Sequence, residues 1–230
     1  SQGGWEISVG TAGTKGAQPQ TLEVDGLILA TPARRNPALL NEVDPTLAED
    51  FSKIPYGSCA LVSFGFLREQ IAHSLDGFGF VVPSIENRQI LSCSFSSIKY
   101  TNRAPDGHVL LRAFVGGACQ GELIDLDDEQ LQKLVLRELA DLLAITGQPM
   151  LRHVTRQIQA MPQYYLGHEQ LVERIEKRAD QLPNFALASN VLHGIGIPNC
   201  IQAGEKAAEK LNDYLFATAS SAKVALGSCS

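Results

Sequence analysis

The chain has 230 residues, with 19 basic against 25 acidic side chains for a formal net charge of -6, and is 44% hydrophobic with 20 Gly and 11 Pro. At roughly 150 residues per domain this is one large domain or two modest ones, too apolar and too weakly charged for disorder. The acidic balance, with no basic run longer than a pair such as Arg34-Arg35, argues against nucleic acid as a partner. No apolar run reaches the roughly 18 residues of a membrane span. The opening Ser1-Gln2-Gly3-Gly4 carries no export pattern. Cys59, Cys93, Cys119, Cys200 and Cys229 are odd in number, widely spaced and without metal-ligand spacing, which reads as reduced thiols in a cytoplasmic setting, with no metal.

Residues 5–9 alternate like a strand, and 10–20 read as a Gly/Thr/Pro-rich turn. The run Gly26-Leu27-Ile28-Leu29-Ala30 predicts a strand buried on both faces of an α/β sheet, ended by Pro32. Two short helices are expected over 36–54, one carrying Leu39, Leu40 and Val43, the other starting at Pro45 and carrying Leu47, Phe51 and Ile54. Strand-like stretches at 58–66, 79–82, 89–96 and 108–115 succeed one another without intervening helices, which predicts an antiparallel sheet. Asp125-Leu126-Asp127-Asp128 opens the clearest helix, with Leu131, Leu134, Val135, Leu139, Leu142 and Leu143 at helical spacing and Gly147 and Pro149 as its stop. A strand over 152–158, a helix over 168–181 with Leu171, Val172 and Ile175 apolar, a short buried strand over 185–188 and a helix over 198–216 complete the order. The Ala/Ser-rich end, 217–230, reads as a flexible tail.

The densest chemical signal is Ala188-Ser189-Asn190-Val191-Leu192-His193-Gly194-Ile195-Gly196-Ile197-Pro198-Asn199-Cys200. Gly194 and Gly196 let backbone approach a flat ligand, and the helix after them points its N-terminal partial charge at it. By itself such a G-x-G is read equally well as a turn plus helix start. Its context is more specific. Gly77-Phe78-Gly79-Phe80-Val81-Val82-Pro83, Asn102-Arg103-Ala104-Pro105-Asp106-Gly107-His108-Val109-Leu110-Leu111, Phe114-Val115-Gly116-Gly117, Met161-Pro162-Gln163-Tyr164-Tyr165-Leu166-Gly167-His168 and Gly194-Ile195-Gly196-Ile197-Pro198-Asn199-Cys200-Ile201 occur in this order. With the strand ending in Thr31-Pro32-Ala33, they resemble the oxygen-dependent protoporphyrinogen oxidases of the FAD-containing amine-oxidase superfamily.

The resemblance implies a fold that is α/β plus α+β: the C-terminal part of a Rossmann-like FAD domain with an inserted antiparallel-sheet-and-helix substrate domain. It divides the chain into FAD-domain strands (1–33), the substrate domain (34–160), a return to the FAD domain with the flavin-contacting loop and final helix (161–216) and the tail (217–230). It implies oxidation of protoporphyrinogen IX, or of coproporphyrinogen III, with oxygen as acceptor, in three two-electron steps. Gly194, Ile195, Gly196, Ile197, Pro198 and Gln157 would lie at the flavin; Phe78, Gly79, Val81 and Phe114 would line the porphyrinogen pocket. No side chain is expected as a catalytic base. A cytoplasmic location, peripheral contact with a membrane and a homodimer are implied for the complete enzyme.

This chain departs from the family pattern at Ser189, usually Gly, at Asn199, usually Asp, and at Gln157, where a Trp is typical. It also contains no G-x-G-x-x-G between a strand and a helix, with an acidic residue about 20 positions on, to take the pyrophosphate and ribose. The chain is therefore expected to be the C-terminal half of the enzyme, binding FAD weakly and turning over little. The rival readings are another amine-oxidase-superfamily enzyme, such as a polyene desaturase or amine oxidase, and a non-catalytic porphyrin-binding remnant. His73, His108, His153 and His168 are expected in structural or solvent-facing roles, whereas His193 sits beside the loop. Cys200 reads as a small buried residue, and Arg103 as either a propionate partner or a loop-anchoring ion pair.

Overall fold

The computed structural model describes residues 4–10 and 20–226, with side chains up to Phe216. In chain order the strands are β1 (Trp5–Val9), β2 (Gln20–Val24), β3 (Leu27–Leu29), β4 (Tyr56–Leu67), β5 (Gly79–Val81), β6 (Ser92–Phe95), β7 (His108–Gly116), β8 (Leu151–Pro162) and β9 (Phe185–Leu187). The α-helices are α1 (Asn36–Leu40), α2 (Pro45–Ser52), α3 (Ser96–Lys99), α4 (Asp128–Leu143), α5 (His168–Ala179) and α6 (Ile197–Leu226). The chain divides into two compact units, one made of residues 1–55 with 164–230 and the other of residues 56–163.

In the first unit β1 and β2 form an antiparallel pair, Trp5 opposite Val24; most of the turn expected between them lies outside the described residues. The Trp5 indole N–H donates to the Pro183 carbonyl (2.9 Å), and its ring lies 5.2 Å from that of Phe185. β3 pairs in parallel with β9, Ile28 opposite Ala186. The apolar run of β3 is not buried on both faces as expected: Leu29 is buried, but Ile28 is 36% exposed. Parallel strands are sealed by helices on both faces and strands on both edges, and among the described residues β3 has β9 as its one strand neighbour. Gly26 brings α6 close, since a Cβ there would stand 2.7 Å from Leu211 Cδ1. α6 begins one residue before Pro198, and its backbone stays helical to Leu226 where a tail was expected beyond 216.

The helices over 36–52 pack within this compact unit, whose first segment runs to residue 55. An ion pair ties them to α5. Asp44 caps α2, accepting from the Thr46 and Leu47 amides (3.1 and 2.9 Å), and the Arg178 guanidinium at the end of α5 forks onto both carboxylate oxygens at 2.8–3.1 Å. Leu40, Leu47, Phe51 and Ile54 are buried on one side of this helical layer, as are Leu171, Val172 and Ile175 of α5; Leu39 and Val43 face out.

The second unit is the expected antiparallel sheet, in the order β5-β6-β7-β4-β8. Side chains alternate along β4 and β7, so Val62, Phe64, Phe66, Leu111, Ala113 and Val115 all point to one face. There they meet Leu131, Val135, Leu139 and Leu143 of α4, whose Asp127–Gln130 capping box fixes the start. α4 ends earlier than Gly147 and Pro149 suggest, because Ala144 adopts a left-handed conformation (φ 48°) and closes the last turn onto Ala140.

Burial alone would raise the Asp44 pKa, but Arg178 together with the two backbone amides holds this carboxyl below the usual carboxylate range. A depressed folded-state pKa gives stability that is complete above the unfolded value of about 4 and is lost as the pH falls through the folded value. Acid titration of the wild type is expected to show destabilisation beginning below about pH 4 that is smaller in Asp44→Asn. At pH 7 Asp44→Ala is expected to cost at least about 1 kcal/mol for the lost cap alone, measured by urea unfolding.

Candidate functional site

The residues singled out in the sequence fall into two groups, one in each unit. In the first unit, β9 runs into a turn in which Ala188 N–H still pairs with Leu29 O (3.1 Å), and Val191 and Leu192 plug the core. The segment from Tyr164 to His168 holds the loop that leads on to α6. The Tyr164 hydroxyl donates to Asn190 O and accepts from the Gly194 amide; the His168 ring stacks on Tyr164 at 4.0 Å and places Nε2 2.8 Å from Val191 O. Burial pushes the Tyr164 phenol pKa up, so it stays protonated and able to donate. Residues 190–194 are thus pinned at both ends by the Tyr164–His168 segment.

Beyond that clamp the loop changes character. Gly194 has φ +133°, and a Cβ on it would stand 2.8 Å from Asn199 Cγ; one on Gly196 would stand 2.8 Å from Asn199 Oδ1. The Asn199 side chain therefore fills the hollow of the loop, its Nδ2 donating to His193 O at 3.3 Å. Gly194 is required by its backbone conformation as well as by this packing, whereas a side chain at 196 would have to displace the end of Asn199. Gly196 O accepts from Cys200 N–H (3.0 Å), which starts α6, and no acidic side chain occupies its first turn. Ile195, Ile197 and Ile201 stand out beside that helix start, 58–77% exposed.

Ser189, which stands where the family pattern has Gly, is turned inward: it is buried and its Oγ accepts from Val191 N–H. His193 bonds away from the loop, Nε2 lying 2.7 Å from Glu176 Oε1. Cys200, expected to be buried, is exposed. Gln157 belongs to the other unit, on β8 opposite Cys59. Arg103 makes no ion pair among the described residues; its guanidinium lies 5.8 Å from the centre of the Tyr100 ring.

In the second unit Phe78, Gly79, Val81 and Phe114 line one open cavity of about 350 Å³. Strand pairing brings them together: Val81 lies opposite Ser92, and Ser92 opposite Phe114. Phe80, Ser92, Cys93, Ser94 and Lys99 complete the lining. None of these five was singled out from the sequence; the alternation of 79–82 and 89–96 marks their strands, but only the register places them together. Burial pushes the Cys93 thiol up to about 12, so it is a protonated, unreactive part of the wall at neutral pH. Among the described residues no cluster of His, Cys, Asp and Glu could hold a metal, and no helix is long and apolar enough to cross a membrane.

Gly79 is where this cavity has least tolerance. It has φ +139°, and a Cβ would stand 2.2 Å from the Cys93 carbonyl oxygen. Gly79→Ala is expected to lose about 2–3 kcal/mol in denaturant unfolding. Gly107→Ala, at φ +72° with open space around it, is expected to lose only about 1 kcal/mol.

The chain is 32% identical over 197 residues to the coproporphyrinogen III oxidase of Bacillus subtilis, covering 85% of this chain and 42% of the relative. It is 29% identical over 193 residues to the mitochondrial protoporphyrinogen oxidase of Nicotiana tabacum, covering 83% and 37%. A crystal structure from Exiguobacterium sp. 255-15 assigned as a protoporphyrinogen oxidase superposes with TM-score 0.70 at 27% identity, covering 85% of this chain and 42% of that one. The chain thus spans about two fifths of the length of these relatives. Residues 5–212 match the flavin-containing amine oxidoreductases, and the chain belongs to that family.

Proposed function

We propose that this chain is the C-terminal part of an FAD-dependent oxidase that converts a porphyrinogen, coproporphyrinogen III or protoporphyrinogen IX, to the porphyrin. The observation that carries the reading is the convergence of Phe78, Gly79, Val81 and Phe114 on one open cavity, whose aromatic and aliphatic side chains, with Ser92, Ser94 and Lys99 among them, suit a macrocycle with polar substituents. In the first unit the residues that would hold FAD fit its ring: Ile195 and Ile197 offer exposed apolar edges, and the start of α6 carries a partial positive charge that no acidic side chain of its first turn neutralises. FAD, when bound, supplies the two-electron oxidation chemistry and passes the electrons to oxygen.

The chain's own residues orient and exclude. Tyr164 and His168 fix the loop, and Asn199 fills its hollow, so the helix start is presented without rearrangement. A helix terminus stabilises negative charge without exchanging a proton. On the porphyrinogen side the Cys93 thiol, with its pKa pushed up to about 12, neither attacks substrate nor takes a proton from it. No side chain of this chain is assigned as a base; positioning is its contribution.

The pyrophosphate and ribose contacts of FAD have no counterpart among the motifs of this sequence. In a titration followed by flavin absorbance and fluorescence, the chain alone is expected to bind FAD weakly, without reaching one equivalent at micromolar concentration. It is also expected to show no oxygen-dependent porphyrinogen oxidation. Tight stoichiometric binding by the chain alone would overturn the assignment of a partial site.

A further inference from the structure

Two neighbouring rows of side chains cross the face of the five-stranded sheet opposite α4. Register alignment gives one row as Val81, Ser92, Phe114, Leu61 and Thr155, and the next as Gly79, Ser94, Arg112, Ser63 and His153. The first row runs through the cavity that Phe78, Val81 and Phe114 line. The second places a guanidinium in the middle of the sheet, two residues along β7 from Phe114 and on the same face. Arg112 is exposed while its neighbours Leu111 and Ala113 are fully buried, so its side chain belongs to this open face.

Among the described residues Arg112 has no ion-pair partner, unlike Arg88, Arg156 and Arg178. Neither row contains a carboxylate, and the hydroxyl side chains of Ser94 and Ser63 flank Arg112 on either side. Lys99 supplies a cation to the wall of the cavity itself, and Arg112 stands on the same sheet face beside its lining residues Ser94 and Phe114. The face therefore pairs an apolar row with a basic and hydroxylic one. That pattern is complementary to a flat ring bearing carboxylates, and an unneutralised guanidinium set within it favours an anion and penalises an apolar group laid over it.

We propose that Arg112, flanked by Ser63 and Ser94, receives a propionate of the substrate and selects the tetracarboxylate coproporphyrinogen over protoporphyrinogen, which carries vinyl groups in place of two of those propionates. The inference rests on the porphyrinogen reading above and goes beyond it by choosing between its two substrates. Arg112 sits inside the face rather than on its rim, so a vinyl group there would desolvate the cation with nothing in return. A propionate would form a charge-assisted, bidentate pair.

The test is titration of the 230-residue chain with coproporphyrin III and with protoporphyrin IX, followed by the Soret band and tryptophan quenching, for wild type, Arg112→Leu and Arg112→Lys, with circular dichroism as the check on folding. Arg112→Leu is expected to weaken coproporphyrin III binding about tenfold, the scale of one charged hydrogen bond, and protoporphyrin IX binding less than about twofold. Arg112→Lys, which keeps the charge and carries the test by itself if the leucine variant does not fold, is expected to lose about threefold for coproporphyrin III alone. Equal losses for both porphyrins, or none, would overturn the assignment of Arg112 and leave the porphyrinogen reading standing. Failure of the wild-type chain to bind either porphyrin would overturn both.

Discussion

The parallel pairing of β3 with β9 is the constraint on which the first unit depends. It joins segments that a single hydrogen bond, Asn184 Nδ2 to Asp25 O, shows to be 159 residues apart in sequence, and three residues on each side carry the pairing. So short a ladder gives little stability by itself. It is held from outside by Trp5 on Phe185 and Pro183, by α6 against Gly26, and by α5 tied to the α2 cap through Arg178 and Asp44. Everything between α2 and the Tyr164 clamp can then be a sheet unit with its own core, since the chain leaves and re-enters a scaffold closed by these long-range contacts.

Much of this order is legible in the amino-acid sequence, because it rests on local periodicity. The alternation of β4 and β7, the apolar spacing of α4 and the Pro45 start of α2 each derive from which side chains must face a core. What is not legible depends on partners distant in sequence. Nothing near Asp44 announces Arg178, yet that pair ties the α2 cap to the end of α5, 134 residues on. The halt of α4 at Ala144 has the same character: a residue with high helix propensity takes a left-handed conformation because the chain must turn there.

The candidate site shows a similar division. Motif order identifies the loop around Gly194 and the Phe78 and Phe114 segments, and register then gathers the second set into one cavity. The role of Asn199 could not be read from its position alone. Occupying a place where the resemblance leads one to expect Asp, it fills the loop and donates to His193 O, which a carboxylate cannot do. Ser189 likewise turns into the protein rather than outward. Both departures are absorbed by local hydrogen bonds, and the loop keeps its open, apolar outer edge.

The contact between Gly26 and Leu211 links this loop to the scaffold over a distance. α6 starts at the loop and passes Leu211 about four turns later, roughly 20 Å along its axis. A helix of that length acts as a rigid rod, and near its middle the Leu211 side chain rests on the bare backbone of Gly26. The seat is thus half rigid and half adjustable: residue 26 offers no rotamer, and Leu211 does. A methyl group added at residue 26 would meet the end of the Leu211 side chain first, so the leucine would turn before the helix moved.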